Sequence, residues 1–246
     1  MESNKRAVII LLTLILSSII IFFSEKKLLA VSPRGGALSS YEKIPWTDKI
    51  LLLIEDFEGM NADTTALVKA KFFTFGSAKI SLDHLHIDNN LIASKTDLKV
   101  EWKGTDSYGG WGKGVGANID LNPETDYLNF RIYVPKSNGH DETIKITLEE
   151  DDNDDGILEK DKDDVWVCKT DITAKNQWQI ISIPLKSFTD DNQGGDHIFN
   201  ITRKGGLHTI IFSFERPDLY TQNHTWYFDF ICFSNKKIEN EEIAIK

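Results

Sequence analysis

The sequence predicts an all-β domain, a sandwich or barrel, preceded by an apolar N-terminal helix that exports or anchors it. Three observations carry this reading. Short runs of alternating apolar and polar residues follow one another from residue 50 onward, separated by Gly, Asn and Asp clusters. No stretch sustains a helical period over three turns. An uninterrupted apolar segment with Lys5 and Arg6 before it opens the chain.

Composition narrows the class further. With 246 residues, 41% of them hydrophobic, 27% charged, and only two cysteines and six prolines, the chain suits one packed domain with appendages. It is not collagenous, disulfide-stapled or globally disordered. A net charge of -10 argues against nucleic acid as a partner, which would call for clustered Lys and Arg to neutralise phosphates.

Residues 1–24 read as a signal peptide or signal anchor: 7–23 contain only Thr13, Ser17 and Ser18 as polar members. The segment is at the short limit for a bilayer span. Cleavage sites after it are poor, because Leu28 stands at the -3 place before Ala30, so an anchor in the membrane is favoured over a cleaved signal. No cysteine follows the run directly, which excludes a lipoprotein. The folded part is therefore expected outside the cytoplasm, either membrane-anchored or secreted or periplasmic. Residues 25–49 form a spacer, punctuated by Ser32, Pro33, Gly35 and Gly36. Residues 50–234 form the sandwich, with strands expected near 51–57, 69–74, 79–87, 97–103, 114–119, 127–134, 143–149, 165–170, 178–184, 207–214 and 226–233. Residues 235–246 are a polar tail.

Two strands show the alternation clearly. In 127–134, Leu128, Phe130, Ile132 and Val134 take one face and Tyr127, Asn129, Arg131 and Tyr133 the other. In 143–149, Ile144, Ile146 and Leu148 face inward and Lys145, Thr147 and Glu149 outward. If these strands pair as neighbours, their outer faces make a polar, planar surface suited to a sugar, whose hydroxyls take bidentate hydrogen bonds and whose CH face stacks on rings. Ordinary solvent-facing strand residues would look the same.

The order of segments carries a resemblance. Asp56-Phe-Glu58 closes the opening strand; Asp97 to Trp102 and Tyr108-Gly-Gly-Trp-Gly-Lys-Gly114 follow, then Tyr127 to Tyr133. Later come Trp178 with its Ile183-Pro-Leu185 run ending in Phe188, and last Trp226-Tyr-Phe-Asp-Phe-Ile231. Over 51–233 this resembles the family 11 carbohydrate-binding modules and related galactose-binding-like jelly rolls; the same order also resembles the complex I intermediate-associated assembly factors. The resemblance implies a two-sheet jelly-roll sandwich whose concave face receives a β-glucan or related polysaccharide, without catalytic machinery. Arg131, Tyr133, Lys145, Thr147 and Glu149 are then the first candidates for that cleft, with Asn129, Ser213 and Glu215 beside them. The resemblance also implies a structural calcium between the first and last strands, at positions matched by Asp56, Glu58 and Asp229.

Other residues bear on chemistry. Trp111, bracketed by glycines, is either a stacking platform or a plug closing the sandwich, and Tyr108 shares its fate. Trp102, Trp178 and Trp226 are expected in the core. Between Glu149 and Asp164 stand ten acids and two lysines. Within this block Asp151, Asn153, Asp155, Ile157 and Glu159 match the first half of an EF-hand loop, although Lys162 stands where a bidentate Glu belongs. Calcium is favoured over a merely solvated loop, since so many close carboxylates would otherwise repel. His84 and His86 share a strand face without a visible third ligand. Cys168 and Cys232 are compatible with a disulfide or with two thiols. No Gly-x-Ser-x-Gly, His-Glu-x-x-His or phosphate loop is present, so an enzyme has no sequence support. The expected function is that of an exported, non-catalytic glycan-binding sandwich; the alternative is an exported structural or assembly protein whose sandwich binds a protein partner.

Overall fold

The computed structural model describes residues 49–60, 64–84, 96–135, 142–201, 206–215 and 223–239. The apolar segment, most of the spacer, His86 and the end of the tail lie outside these residues.

The expected all-β sandwich forms from two six-stranded antiparallel sheets. The first runs β3 (Lys79–Asp83), β4 (Asp97–Trp102), β12 (His224–Ser234), β6 (Tyr127–Tyr133) and β9 (Trp178–Pro184), with β1 (Ile50–Glu55) also pairing with β12. The long β12 accommodates both neighbours along its length: β4 lies opposite its first residues and β1 opposite its last. A bulge between Asp229 and Cys232 separates the two registers. The second sheet runs β10 (Thr189–Asp190), β8 (Val165–Ile172), β7 (Glu142–Glu150), β11 (Leu207–Glu215), β5 (Tyr108–Ala117) and β2 (Phe72–Phe75).

The alternation predicted for β6 and β7 is realised: Leu128, Phe130, Ile132, Ile144, Ile146 and Leu148 are buried between the sheets. Their pairing is not. β6 lies between β12 and β9 in the first sheet, and β7 between β8 and β11 in the second, so their outer faces point away from one another. Side-chain period alone leaves strand partners undetermined, because a strand alternates in the same way whichever sheet it joins.

Aromatic rings fill the space between the layers. Trp111 stacks on Phe212 at 4.7 Å and meets Phe228 edge-on at 5.1 Å. Trp102 stacks on Phe214 at 4.5 Å and meets Trp226 edge-on at 4.4 Å. Such pairs add about 0.5–1.5 kcal/mol each beyond the area they bury. At the margin of this core the buried Lys113 Nζ donates to Glu55 Oε2 and to the Ala70 carbonyl, both at 3.0 Å, which satisfies two of its three protons.

A short helix, α1 (Thr64–Lys69), precedes β2 and was not expected. It buries Leu67, and Lys71, with φ of 63°, ends it in the left-handed conformation that turns the chain into β2. Cys168 and Cys232 are free thiols, one in each sheet.

Candidate functional site

The outer face of the second sheet gathers five of the proposed sugar contacts. Register places Thr209 opposite Glu149, Ile211 opposite Thr147, and Ser213 opposite Lys145 across β11 and β7. On the other side of β11, Glu215 faces Tyr108, Ser213 faces Gly110, and Ile211 faces Gly112. Tyr108, Lys145, Thr147, Glu149 and Glu215, with Ser213, therefore share one surface.

The alternation of Phe72-Phe-Thr-Phe75 adds two rings that the sequence reading missed. Phe72 points into the core, tilted against Trp111 at 5.8 Å. Phe73 pairs with Gly112 and Phe75 with Gly110, so both rings emerge on the outer face. They lie across β5 because nothing but glycine stands beneath them: a Cβ on Gly112 would sit 2.4 Å from Phe73 Cζ, and one on Gly110 2.9 Å from Phe75 Cζ. Tyr108 continues the row, its ring 5.2 Å from that of Phe75. Phe73 is 41% and Tyr108 55% exposed, well above what large apolar residues ordinarily leave to water. The signal was present in the sequence, since three Phe in four strand residues cannot all face one core.

Beyond this aromatic row the face turns polar. Ser213 and Thr209 form a low floor, buried beneath taller neighbours. A charged ridge follows, where Glu215 accepts from Lys169 at 2.5 Å and pairs with Lys145 at 3.4 Å, while Lys145 also reaches Asp191 at 3.5 Å. The hydrogen bond from Lys169, with Lys145 behind it, holds the Glu215 carboxyl below its ordinary value. Burial raises Glu149, against a hydrogen bond with Thr209 that favours its charged form. At one end an open cleft of about 530 Å³ is lined by Lys71, Gly114, Asn118, Asp155 and His208. The arrangement offers flat apolar rings beside hydroxyls and charges, the combination that a sugar ring requires.

The remaining candidates fall elsewhere. Trp111 is fully buried and belongs to the core, so it cannot act as a platform. Arg131, Asn129 and Tyr133 lie on the outer face of the first sheet. Arg131 is 1% exposed, donates to Asp229 Oδ2 at 2.9 Å and covers the Trp178 ring at 4.8 Å. Asn129 is enclosed between Ser234, to whose Oγ it donates at 2.7 Å, and Ser182, from which it accepts at 2.6 Å. Tyr133 donates to Asn176 at 2.8 Å. These groups satisfy one another and leave Arg131 and Asn129 no open surface. Trp178, expected in the core, instead supports this network; Trp102 and Trp226 are core as expected.

The candidate calcium ligands of the acidic block lie in a run of Asx turns. Asp151 accepts from the amides of Asp155 and Gly156, at 3.3 and 2.9 Å. Asn153 caps the Asp155 amide at 2.9 Å, and Asp155 that of Ile157 at 2.8 Å. Glu159 takes the ammonium of Lys162, and the Ile157 side chain is exposed. These are turn-forming contacts of a hairpin loop, the ordinary use of Asp and Asn followed by glycine. The carboxylates implied for a calcium between first and last strands each meet protein donors. Asp229 already holds the Arg131 guanidinium, Asp56 accepts from the Glu58 amide at 3.1 Å, and Glu58 from that of Thr96 at 3.2 Å. Among the described residues, the three carboxylates do not gather at metal-binding distance. His84 faces Thr96 at 3.2 Å.

Residues 63–223 match the family described as "Carbohydrate binding domain 30". No curated protein matches the chain. Among solved structures, an exo-β-agarase is similar at 13% identity and a TM-score of 0.51, over 78% of this chain and 26% of that one. An arabinose-bound MgGH51 α-L-arabinofuranosidase shares 11% identity at a TM-score of 0.50, over 74% of this chain and 26% of that one. The family 11 carbohydrate-binding module of Clostridium thermocellum, in complex with a β-1,3-1,4-mixed-linked tetrasaccharide, shares 18% identity at a TM-score of 0.49 over 76% of this chain and 96% of that one. The resemblance drawn from the order of segments is thus borne out, and the fold is a jelly-roll β-sandwich of the carbohydrate-binding type.

Proposed function

This chain belongs to the carbohydrate binding domain 30 family, and from that premise we propose that it binds a polysaccharide, a β-glucan or a related chain, on the outer face of its second sheet. The observation that supports the site is the row of Phe73, Phe75 and Tyr108 laid over the glycines of β5. An extended glucan presents its CH faces to such a row, and each stacked ring removes apolar area from water at about 25 cal/mol per Å². The hydroxyl edge of the same chain would meet the Thr147 hydroxyl and Lys145 and Glu215, whose charge-assisted hydrogen bonds supply direction.

We read the domain as a binding module without chemistry of its own, displayed outside the cytoplasm through the apolar segment 7–23. Affinity electrophoresis on a panel of soluble polysaccharides tests the site. Retardation that is lost on Phe73→Ala with the fold intact supports it; retardation unchanged by Phe73→Ala and Tyr108→Ala places binding elsewhere.

A further inference from the structure

The acidic block closes on residues that its EF-hand-like spacing passes over. β7 ends at Glu150 and β8 begins at Val165, so Glu150 and Asp164 meet at the mouth of the hairpin, where the Glu150 amide donates to the Asp164 carbonyl at 3.0 Å. One oxygen from each of Glu150, Asp152 and Asp164 lies within 4.8 Å of the other two. Asp164 is 0% exposed, and neither of its carboxylate oxygens makes a hydrogen bond; both oxygens of Asp152 are likewise buried without one. The amides of Ile198 and Asp164 favour the two charged carboxylates from nearby without closing a bond of good geometry.

Buried carboxylates elsewhere in this loop are capped. Asp163 accepts from the amides of Asp152 at 3.0 Å and Glu159 at 2.6 Å. Glu150 is oriented by Trp166 Nε1 at 3.0 Å on one oxygen and by the Asn200 amide at 2.9 Å on the other, leaving each a free lone pair. Gly195, with φ of +72°, brings a third segment against the cluster. A Cβ there would stand 1.9 Å from Asp164 Oδ1 and 2.6 Å from Asp152 Oδ2, so only glycine permits the approach.

Left alone, the arrangement is unfavourable. Burial first, then the charges of Asp152 and Asp164, push Glu150 up to about 8; burial and Asp164 push Asp152 up to about 6. Asp164 is raised by burial and by Asp190 and Asp196. His197 Nδ1 lies 2.5 Å from Asp190 Oδ2, a contact that raises the imidazole above its ordinary value.

We propose that Glu150, Asp152 and Asp164 form a site for one calcium ion. The donors are all oxygen, which selects a hard cation over zinc or copper. Three carboxylates, one at a strand end and two on its loop, suit the loose geometry of calcium better than the strict octahedron of magnesium. The bound ion ties the ends of the 151–164 loop to the 195–200 segment. Because Asp151, Asp154 and Asp155 of that loop line the cleft at the end of the outer face, it also holds one wall of that cleft in place. The site stands independently of the glycan reading.

The test uses the full chain and the metal alone. Calcium titrated into chelator-treated protein is expected to bind at one site and to raise the melting temperature by roughly 5–10 °C at about 100-fold excess over Kd. Asp164→Asn abolishes both effects and, in chelator, melts no lower than the wild type, since a repelling charge is gone. Asn153→Ala, which removes an EF-hand-like position, keeps both. Terbium placed in the site is expected to show emission sensitised through Trp166, lost in Trp166→Phe and on adding calcium; this reading holds even if Asp164→Asn does not fold. A wild-type transition indifferent to calcium, a loss caused by Asn153→Ala but not by Asp164→Asn, or terbium emission insensitive to calcium would overturn the proposal.

Discussion

Phe73 lies across β5 directly above Gly112, whose missing Cβ would otherwise stand 2.4 Å from the ring. The contact explains why β5 carries glycine at alternate positions facing outward while Trp111 between them faces the core. The two sides of one strand thus serve different ends, packing below and a flat apolar row above. Gly112→Val is expected to lift the Phe73 ring and to weaken glycan binding about 10-fold, equivalent to about 1.4 kcal/mol. Calorimetric titration of folded variant checks this, alongside circular dichroism.

Tyr108 and Phe75 form the other end of the row, with centroids 5.2 Å apart. Each ring changed to Ala is expected to lower affinity by about 3–10-fold, from about 0.5–1.5 kcal/mol of stacking apiece. The melting temperature should move little, because Tyr108 is largely exposed. Titration with a soluble glucan together with a thermal melt separates the two effects.

Arg131 and Asp229 make a buried ion pair at 2.9 Å on the first sheet, remote in the fold from the aromatic row. Removing one partner strands the other charge, so Arg131→Ala is expected to destabilise by about 3–5 kcal/mol. Glycan affinity of the folded fraction should stay within error. Denaturant unfolding of Arg131→Ala, compared with the double change Arg131→Met and Asp229→Leu, checks the assignment; the double variant should recover much of the loss.

Trp111 illustrates the difference between a plug and a platform. Fully buried against Phe212 and Phe228, it is expected to cost about 3–5 kcal/mol when changed to Ala. A chemical-denaturation curve measures this directly; a variant of native stability with lost binding would contradict the placement.

Acid groups set the pH dependence. Burial first, then Asp229, raises Asp97 to about 8, and Glu150 is raised to about 8 as well. Their folded values lie above their ordinary values of 3.8 and 4.5, so the native state binds more protons than the unfolded chain between those limits. Stability from these groups is full below the ordinary values, falls as pH rises, and levels off above about 8. In chelator the melting temperature is therefore expected to decline from pH 5 to pH 8.5 (about the span of these shifts), and Asp97→Asn should flatten part of that slope.

Much of the sandwich was legible because burial on one face imposes period two, which survives in Leu128 to Ile132 and Ile144 to Leu148 whatever the partners. The assignment of β6 and β7 to different sheets was not legible, since pairing is decided by residues far along the chain. The same limit hid the fate of Arg131, whose partner Asp229 is 98 positions away. Trp111 between glycines reads alike facing in or out until Phe73 is known to occupy the outer side. In the acidic block the EF-hand-like positions attracted notice because Asx turns and calcium loops use the same residues. Glu150, Asp152 and Asp164 were concealed because their convergence depends on hairpin closure and on the approach of Gly195.

The proposed polysaccharide site is the aromatic row of the second sheet. Isothermal titration of the wild-type chain and of the triple variant Phe73→Ala, Phe75→Ala, Tyr108→Ala with a soluble mixed-linkage β-glucan tests it most directly. Saturable binding by the wild type is expected, and none detectable in a triple variant that retains its circular dichroism spectrum. Equal binding by both proteins would contradict it.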